Sequence, residues 1–142
     1  MRFQIADCVG DEDDIILQGL VAYNERQVPR TQEPGYVSIS KKMVDENGAI
    51  IAGCLGEMYY WNIIHVDILW VDERFRRQGL GSRLLREIEA IARREHCTLI
   101  HLDTFDFQAK DFYLRHGFEL FGVLEDCPPG HCRYYLKKTL AP

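Results

Sequence analysis

Along this chain the spacing of apolar residues changes rhythm, and each change marks an element. Arg2 to Ala6 alternates briefly, as a short strand would. Asp11-Glu12-Asp13-Asp14 then forms an acidic helix start, favourable against the positive end of a helix, and runs into Ile15-Ile16 through Asn24. Gln27 to Gly35, with Pro29 and Pro34, is a loop. Tyr36-Val37-Ser38-Ile39-Ser40 alternates as a strand that continues to about Val44. Asn47-Gly48 is the pair favoured in tight hairpins, and Ala49 to Tyr60 is the return strand, with Gly53 and Gly56 as bulge positions. Trp61-Asn62 turns the chain into Ile63 to Val71, a mostly buried strand. Beyond it, Leu84, Leu85, Ile88, Ile91 and Ala92 fall on one helical face. Thr98 to Thr104 is a further strand, and Gln108 to His116 a short helix with Gly117 as its C-cap. Phe118–Leu124 and Cys132–Lys138 are two last strands joined by Pro128-Pro129-Gly130. Hairpins come first and strand–helix alternation follows, so the class is α+β, with a mostly antiparallel sheet flanked by helices and one parallel element.

Composition narrows the function classes without choosing one. The 142 residues, 46% apolar and 27% charged, suit a single domain with a core of its own. No apolar run approaches the roughly 20 residues that span a bilayer, and Met1-Arg2-Phe3-Gln4-Ile5 has no signal-peptide layout. The expectation is a cytoplasmic protein with no membrane partner. Five cysteines, an odd number without a zinc-like pair, read as reduced thiols. Cys127 and Cys132 flank Pro128-Pro129-Gly130-His131 and keep a thiol-redox reading open. His101, His116 and His131 lack metal-ligand spacing, so no metal is expected. The net charge of −5 is uneven: residues 1–72 hold 5 Lys/Arg against 12 Asp/Glu, the remainder 12 against 10. The acidic part suits a cationic partner, and nothing in the chain forms the basic stripe that nucleic acid requires.

Arg76-Arg77-Gln78-Gly79-Leu80-Gly81 lies between the apolar strand and the amphipathic helix. A glycine-rich turn feeding a helix N-terminus gathers backbone N–H groups at the positive end of the helix dipole, a natural place for a pyrophosphate. It is not a P-loop, because Gly81 is followed by Ser82-Arg83 rather than Lys-Ser/Thr. It also departs from the dinucleotide fingerprint. Leu84 stands where a small residue belongs and the turn comes after half the chain, although Asp103 sits near the acidic position.

The order of elements, Arg76-x-x-Gly79-x-Gly81, and a second segment, Phe112-Tyr113-Leu114-Arg115-His116-Gly117-Phe118, together resemble the GCN5-related N-acetyltransferase (GNAT) superfamily. The resemblance is carried by about Ile63 to Lys138. The first sixty residues match in element order only. It implies one N-acetyltransferase domain over residues 1–142, with acetyl-CoA as cosubstrate and a primary amine, on a small molecule or a peptide, as acceptor. It also implies direct attack in a ternary complex and pairing into a homodimer.

Residue by residue, the resemblance implies that backbone N–H groups of Arg76, Arg77, Gln78, Gly79, Leu80, Gly81 and Ser82 hold the pyrophosphate. The strand bearing Leu69, Trp70 and Val71 would splay from its neighbour to pair with the pantetheine arm, and one of its N–H groups would polarise the thioester carbonyl. Gln108 and Phe112 would contact the coenzyme, with Gln108 longer than the Asn of many relatives. Tyr113 matches the acid that protonates the departing thiolate. The base is His65 or Asp67, which plain alternation would place on one strand face with Leu69 and Val71. Histidine, near 6.5, has the more suitable ordinary pKa; the alternative makes His65 a core residue holding Asp67. Tyr23, Asn24, Glu57, Tyr59 and Tyr60 are weaker acceptor-site candidates. The competing function is a non-catalytic acyl-CoA sensor or docking module of the same fold.

Overall fold

The computed structural model describes residues 1–141, which divide into two compact units, residues 1–31 and the chain from Gln32 onward. In the first unit, α1 spans Glu12–Gln27 with Glu12, Asp13 and Asp14 in its first turn. The Glu12 carboxylate accepts the N–H of Val9 at 2.6 Å, closing the helix start. The strand expected over Arg2–Ala6 does not form. Residues 1–9 have no regular structure, and alternation alone makes no strand where a segment has no ladder hydrogen bonds.

The second unit carries a seven-stranded sheet. Its strands are β1 (Tyr36–Ser38), β2 (Lys41–Val44), β3 (Ile50–Tyr59), β4 (Ile63–Val71), β5 (Leu99–Phe105), β6 (Glu119–Glu125) and β7 (Cys132–Thr139). The spatial order is β1-β3-β4-β5-β7-β6, with β2 also on β3, and only the β4–β5 pair is parallel. That parallel pair is joined by a 3₁₀ turn (Glu73–Phe75), the glycine loop and α2 (Leu80–Arg94). A crossover of this length is what a parallel connection requires. The last helix, α3 (Lys110–Arg115), joins β5 to β6. Among the described residues no helix is long and apolar enough to cross a membrane.

One sheet face is the core. Leu84, Leu85, Ile88, Ile91 and Ala92, the stripe expected from spacing, are all buried against Ala52, Cys54, Ile64, Val66, Ile100, Leu102 and Leu136. Strand alternation gives the opposite face Glu57 and Tyr59 of β3, His65 of β4 and His101 and Asp103 of β5.

A bulge interrupts that alternation. Leu55 pairs with Ile68 but Gly56 pairs with Val66, so Asp67 is the extra residue of β4. Before it Ile64 and Val66 face the core; after it Leu69 and Val71 do, opposite Cys54 and Ala52. His65 therefore does not share a face with Leu69 and Val71, contrary to the plain period of two. The bulge needs a glycine across from it: a Cβ on Gly56 would stand 2.7 Å from the His65 carbonyl oxygen, which is backbone and cannot swing away. Gly56→Ala is expected to destabilise the fold by about 1–3 kcal/mol. Urea denaturation should show a lowered midpoint, and an unchanged one would mean that β4 tolerates the displacement.

Candidate active site

The parallel ladder is short. Ile63 to Val66 pair with Leu99 to Leu102, and beyond that point β4 and β5 separate while β4 continues against β3 as far as Val71. The Asp72 N–H donates to the Ile51 carbonyl at 2.9 Å, so Asp72 points toward β3. By strand alternation Trp70 does too, while the backbone groups of Leu69 and Val71 point into the gap left by β5. The Val71 carbonyl fits this, since it accepts from the Arg76 guanidinium at 3.0 Å rather than from a strand.

At the end of the gap lies the glycine loop. Arg77 (φ 66°) and Gly79 (φ 77°) both take left-handed conformations, turning the chain sharply into α2. That helix has no acidic residue in its first turn and no side-chain cap. Its leading N–H groups therefore keep their partial positive charge for an anion. Arg76, bound back to Val71, is engaged in holding the loop. Gly81 lies beside α3, where a Cβ would be in ordinary contact with the Phe112 ring at 3.4 Å and Val71 at 3.8 Å. Beside Phe112 opens a cleft of about 380 Å³ lined by Gln108, Lys110, Arg115 and Tyr134. The Gln108 amide oxygen accepts from the Phe105 N–H (2.8 Å) and the Thr104 hydroxyl (3.1 Å), pinning the end of β5.

Tyr113 is buried on the core side, in edge contact with Phe112 and Phe118. Burial, and then the neighbouring Cys54 and Asp103, raise its hydroxyl far above the ordinary phenol value. The phenol therefore stays protonated at neutral pH. Cys54 was not expected near this position. Its thiol is fully buried and is pushed up to about 11, mainly by burial, so it is not a ready nucleophile.

On the other sheet face His65 is half-buried. Its Nδ1 lies 2.8 Å from Asp67 Oδ1 and 3.1 Å from Glu57 Oε1. The Glu57 carboxyl is raised by burial and then by its hydrogen bond with Asp67, with His65 opposing. The acidic pair beside Nδ1 holds the proton on that nitrogen and leaves Nε2 as the acceptor. The sequence placed His65 and Asp67 together correctly. It ranked Glu57 low and passed over His101, whose Cα stands in register with that of His65 on β5. The signal for both was alternation: Glu57 and Tyr59 share one face of β3, His101 and Asp103 one face of β5. Cys127 and Cys132 are both free thiols, and Asp106 binds the intervening loop through His131 Nδ1 and the Cys132 N–H, both at 2.9 Å.

Known proteins share this arrangement. The model of the Acetyltransferase (GNAT) family matches residues 12–118. Over 96 residues the chain is 44% identical to the blasticidin-S acetyltransferase of Streptomyces morookaense, covering 67% of this chain and 70% of that one. A crystal structure of an acetyltransferase from Bacillus cereus superposes with a TM-score of 0.85 at 38% identity, over 97% of this chain and 98% of the other. The fold alone is shared with an aminoglycoside 6'-N-acetyltransferase solved with coenzyme A, at 17% identity and a TM-score of 0.63 over 78% and 76% of the two chains. The splayed strands, the glycine loop and the Phe112–Phe118 segment thus stand in a member of the GNAT acetyltransferase family, and the chain is an N-acetyltransferase.

Proposed function

We propose that this enzyme moves an acetyl group from acetyl-CoA to a primary amine on a small cationic molecule, by direct attack within a ternary complex. The observation that carries the reading is the gap between β4 and β5, which ends at the uncapped N-terminus of α2. A thioester with a peptide-like arm and a pyrophosphate matches both parts. The arm pairs with the backbone of Leu69 and Val71, where a neighbouring strand would otherwise sit, while Trp70 keeps β4 on β3. The pyrophosphate rests on N–H groups from Arg76 to Ser82, and Phe112 and Gln108 border it. The cleft beside Phe112, where Lys110 and Arg115 stand with Asp106 and Asp111, has room for the remaining end of the coenzyme. Residues 1–31 and the sheet unit would act as one domain, consistent with a family match that spans both.

The base is His65 through Nε2, with Asp67 and Glu57 fixing its tautomer at Nδ1. The acidic pair also favours an ammonium group approaching His65, and a small-molecule acceptor is in keeping with the similarity to a blasticidin-S acetyltransferase. As the amine loses its proton to His65 its nitrogen attacks the thioester carbonyl, whose oxygen is polarised by a β4 N–H. Tyr113 protonates the departing thiolate from the core side. Cys54, buried and protonated, leaves no covalent acyl relay beside it, which supports direct transfer.

Saturating acetyl-CoA, at about a hundredfold over Kd, is expected to add about 2.7 kcal/mol to stability, read as a rise of several degrees in the unfolding midpoint that NAD and ATP do not reproduce. No rise would reduce the Arg76–Gly81 loop to a turn. Tyr113→Phe should lower kcat by about a hundredfold while sparing coenzyme affinity; undiminished turnover removes the acid assignment. His65→Gln should abolish the acidic limb of the pH–rate profile. Asp67→Asn should only lower its plateau, and the reverse pattern would make Asp67 the base.

A further inference from the structure

His101 has no place in the reaction as written, yet the fold presses it against the base. Parallel register sets its Cα level with that of His65, and both rings stand on the same sheet face with centroids 4.8 Å apart and planes tilted by 41°. Its far side is fixed in turn. The Tyr59 hydroxyl lies 2.7 Å from His101 Nε2, and the Tyr59 ring meets the imidazole edge-on at 5.9 Å. The Tyr59 hydroxyl is raised by burial and then by Glu57, so it stays protonated, and the bond to Nε2 holds the His101 ring in either tautomer.

We propose that His101, braced by Tyr59, is a positioning residue for His65: it fixes the base's ring and confines the proton taken from the amine to that ring. This rests on His65 being the base. The other groups facing the pair are Glu57 on β3, Asp67 on β4 and Asp103 on β5. Tyr36 on β1 lies near the two carboxylates, and Lys137 on β7 is in register with His101. Glu57 and Asp67 gather on His65, whereas His101 is bonded to Tyr59 and feels Asp103; the Lys137 ammonium lies against Glu119. Two imidazolium rings in contact repel each other, so the second proton enters only at lower pH. Burial and then the charge of His65 both lower the His101 pKa, in agreement with that order.

The test is an NMR titration of the imidazole Cε1–H signals in the ligand-free enzyme, wild type and His101→Gln, alongside the kinetics of His101→Ala. In wild type the His65 signal should show a second inflection at low pH, as His101 takes its proton, and His101→Gln should abolish it. His101→Ala, which leaves the His65 ring unbraced, should lower kcat about tenfold with the acetyl-CoA KM within about twofold. His101→Gln, which can still bond Tyr59, should restore most of that loss. A single His65 inflection that is the same in wild type and His101→Gln overturns the proposal, as does full kcat in His101→Ala. The titration needs no turnover. Coupled rings without acetyl transfer to any amine would therefore remove the functional reading, and with it the catalytic role of His101. Transfer with uncoupled rings would remove the role of His101 alone.

Discussion

Strand β4 serves two neighbours unequally, and the rest of the molecule is arranged around that inequality. Against β3 it is paired nearly from end to end; against β5 the ladder ends after four residues. Backbone groups of a central strand left unpaired inside a fold are costly unless something else meets them. Here the Arg76 guanidinium meets one of them, and the proposed thioester arm would meet others. The bulge at Asp67 begins where the separation begins. One inserted residue adds twist and bends the strand, and Gly56 provides the only side-chain size that the bent strand accepts across from it.

The bulge also decides which residues can cooperate. Without it, alternation would put His65 on the same side as Leu69 and Val71, and Tyr113 would have no separate side from which to act. With it, the titratable groups divide. Tyr113 and Cys54 stand on the core face, where burial holds both protonated. His65, Glu57, Asp67 and His101 stand together on the polar face, where burial and then their neighbours raise the Glu57 carboxyl and lower the His101 imidazole. A buried phenol and a half-buried imidazole thus stand on opposite sides of one sheet, which is what the proposed acid and base require. Neither can neutralise the other across it.

Much of this was legible in the residues. The helical stripe from Leu84 to Ala92, β4 from Ile63 to Val71 and the glycine loop were recoverable because burial on one face imposes a period that sequence displays directly. The Phe112–Phe118 segment carried the family. Three features were hidden, each for a physical reason. The Arg2–Ala6 alternation looked like a strand, but a strand is made by its partner. The inserted Asp67 shifted every later residue of β4 to the other face, and a bulge leaves no mark in periodicity beyond a nearby glycine. Glu57 and His101 entered the site through cross-strand register, which depends on which strands adjoin and not on what either strand contains.

The half-paired strand has a consequence for motion. Amide hydrogens of β4 fall into two groups although they lie on one continuous strand: those facing β3 are held by a ladder, and those of Leu69 and Val71 face the gap. Deuterium would enter the second group without any opening of the sheet, so the centre of the fold contains amides that exchange like those of an edge. A bound thioester arm would close that difference by acting as the absent length of β5. On the proposed reading the ligand would be a temporary strand, and its residence time the lifetime of a complete sheet.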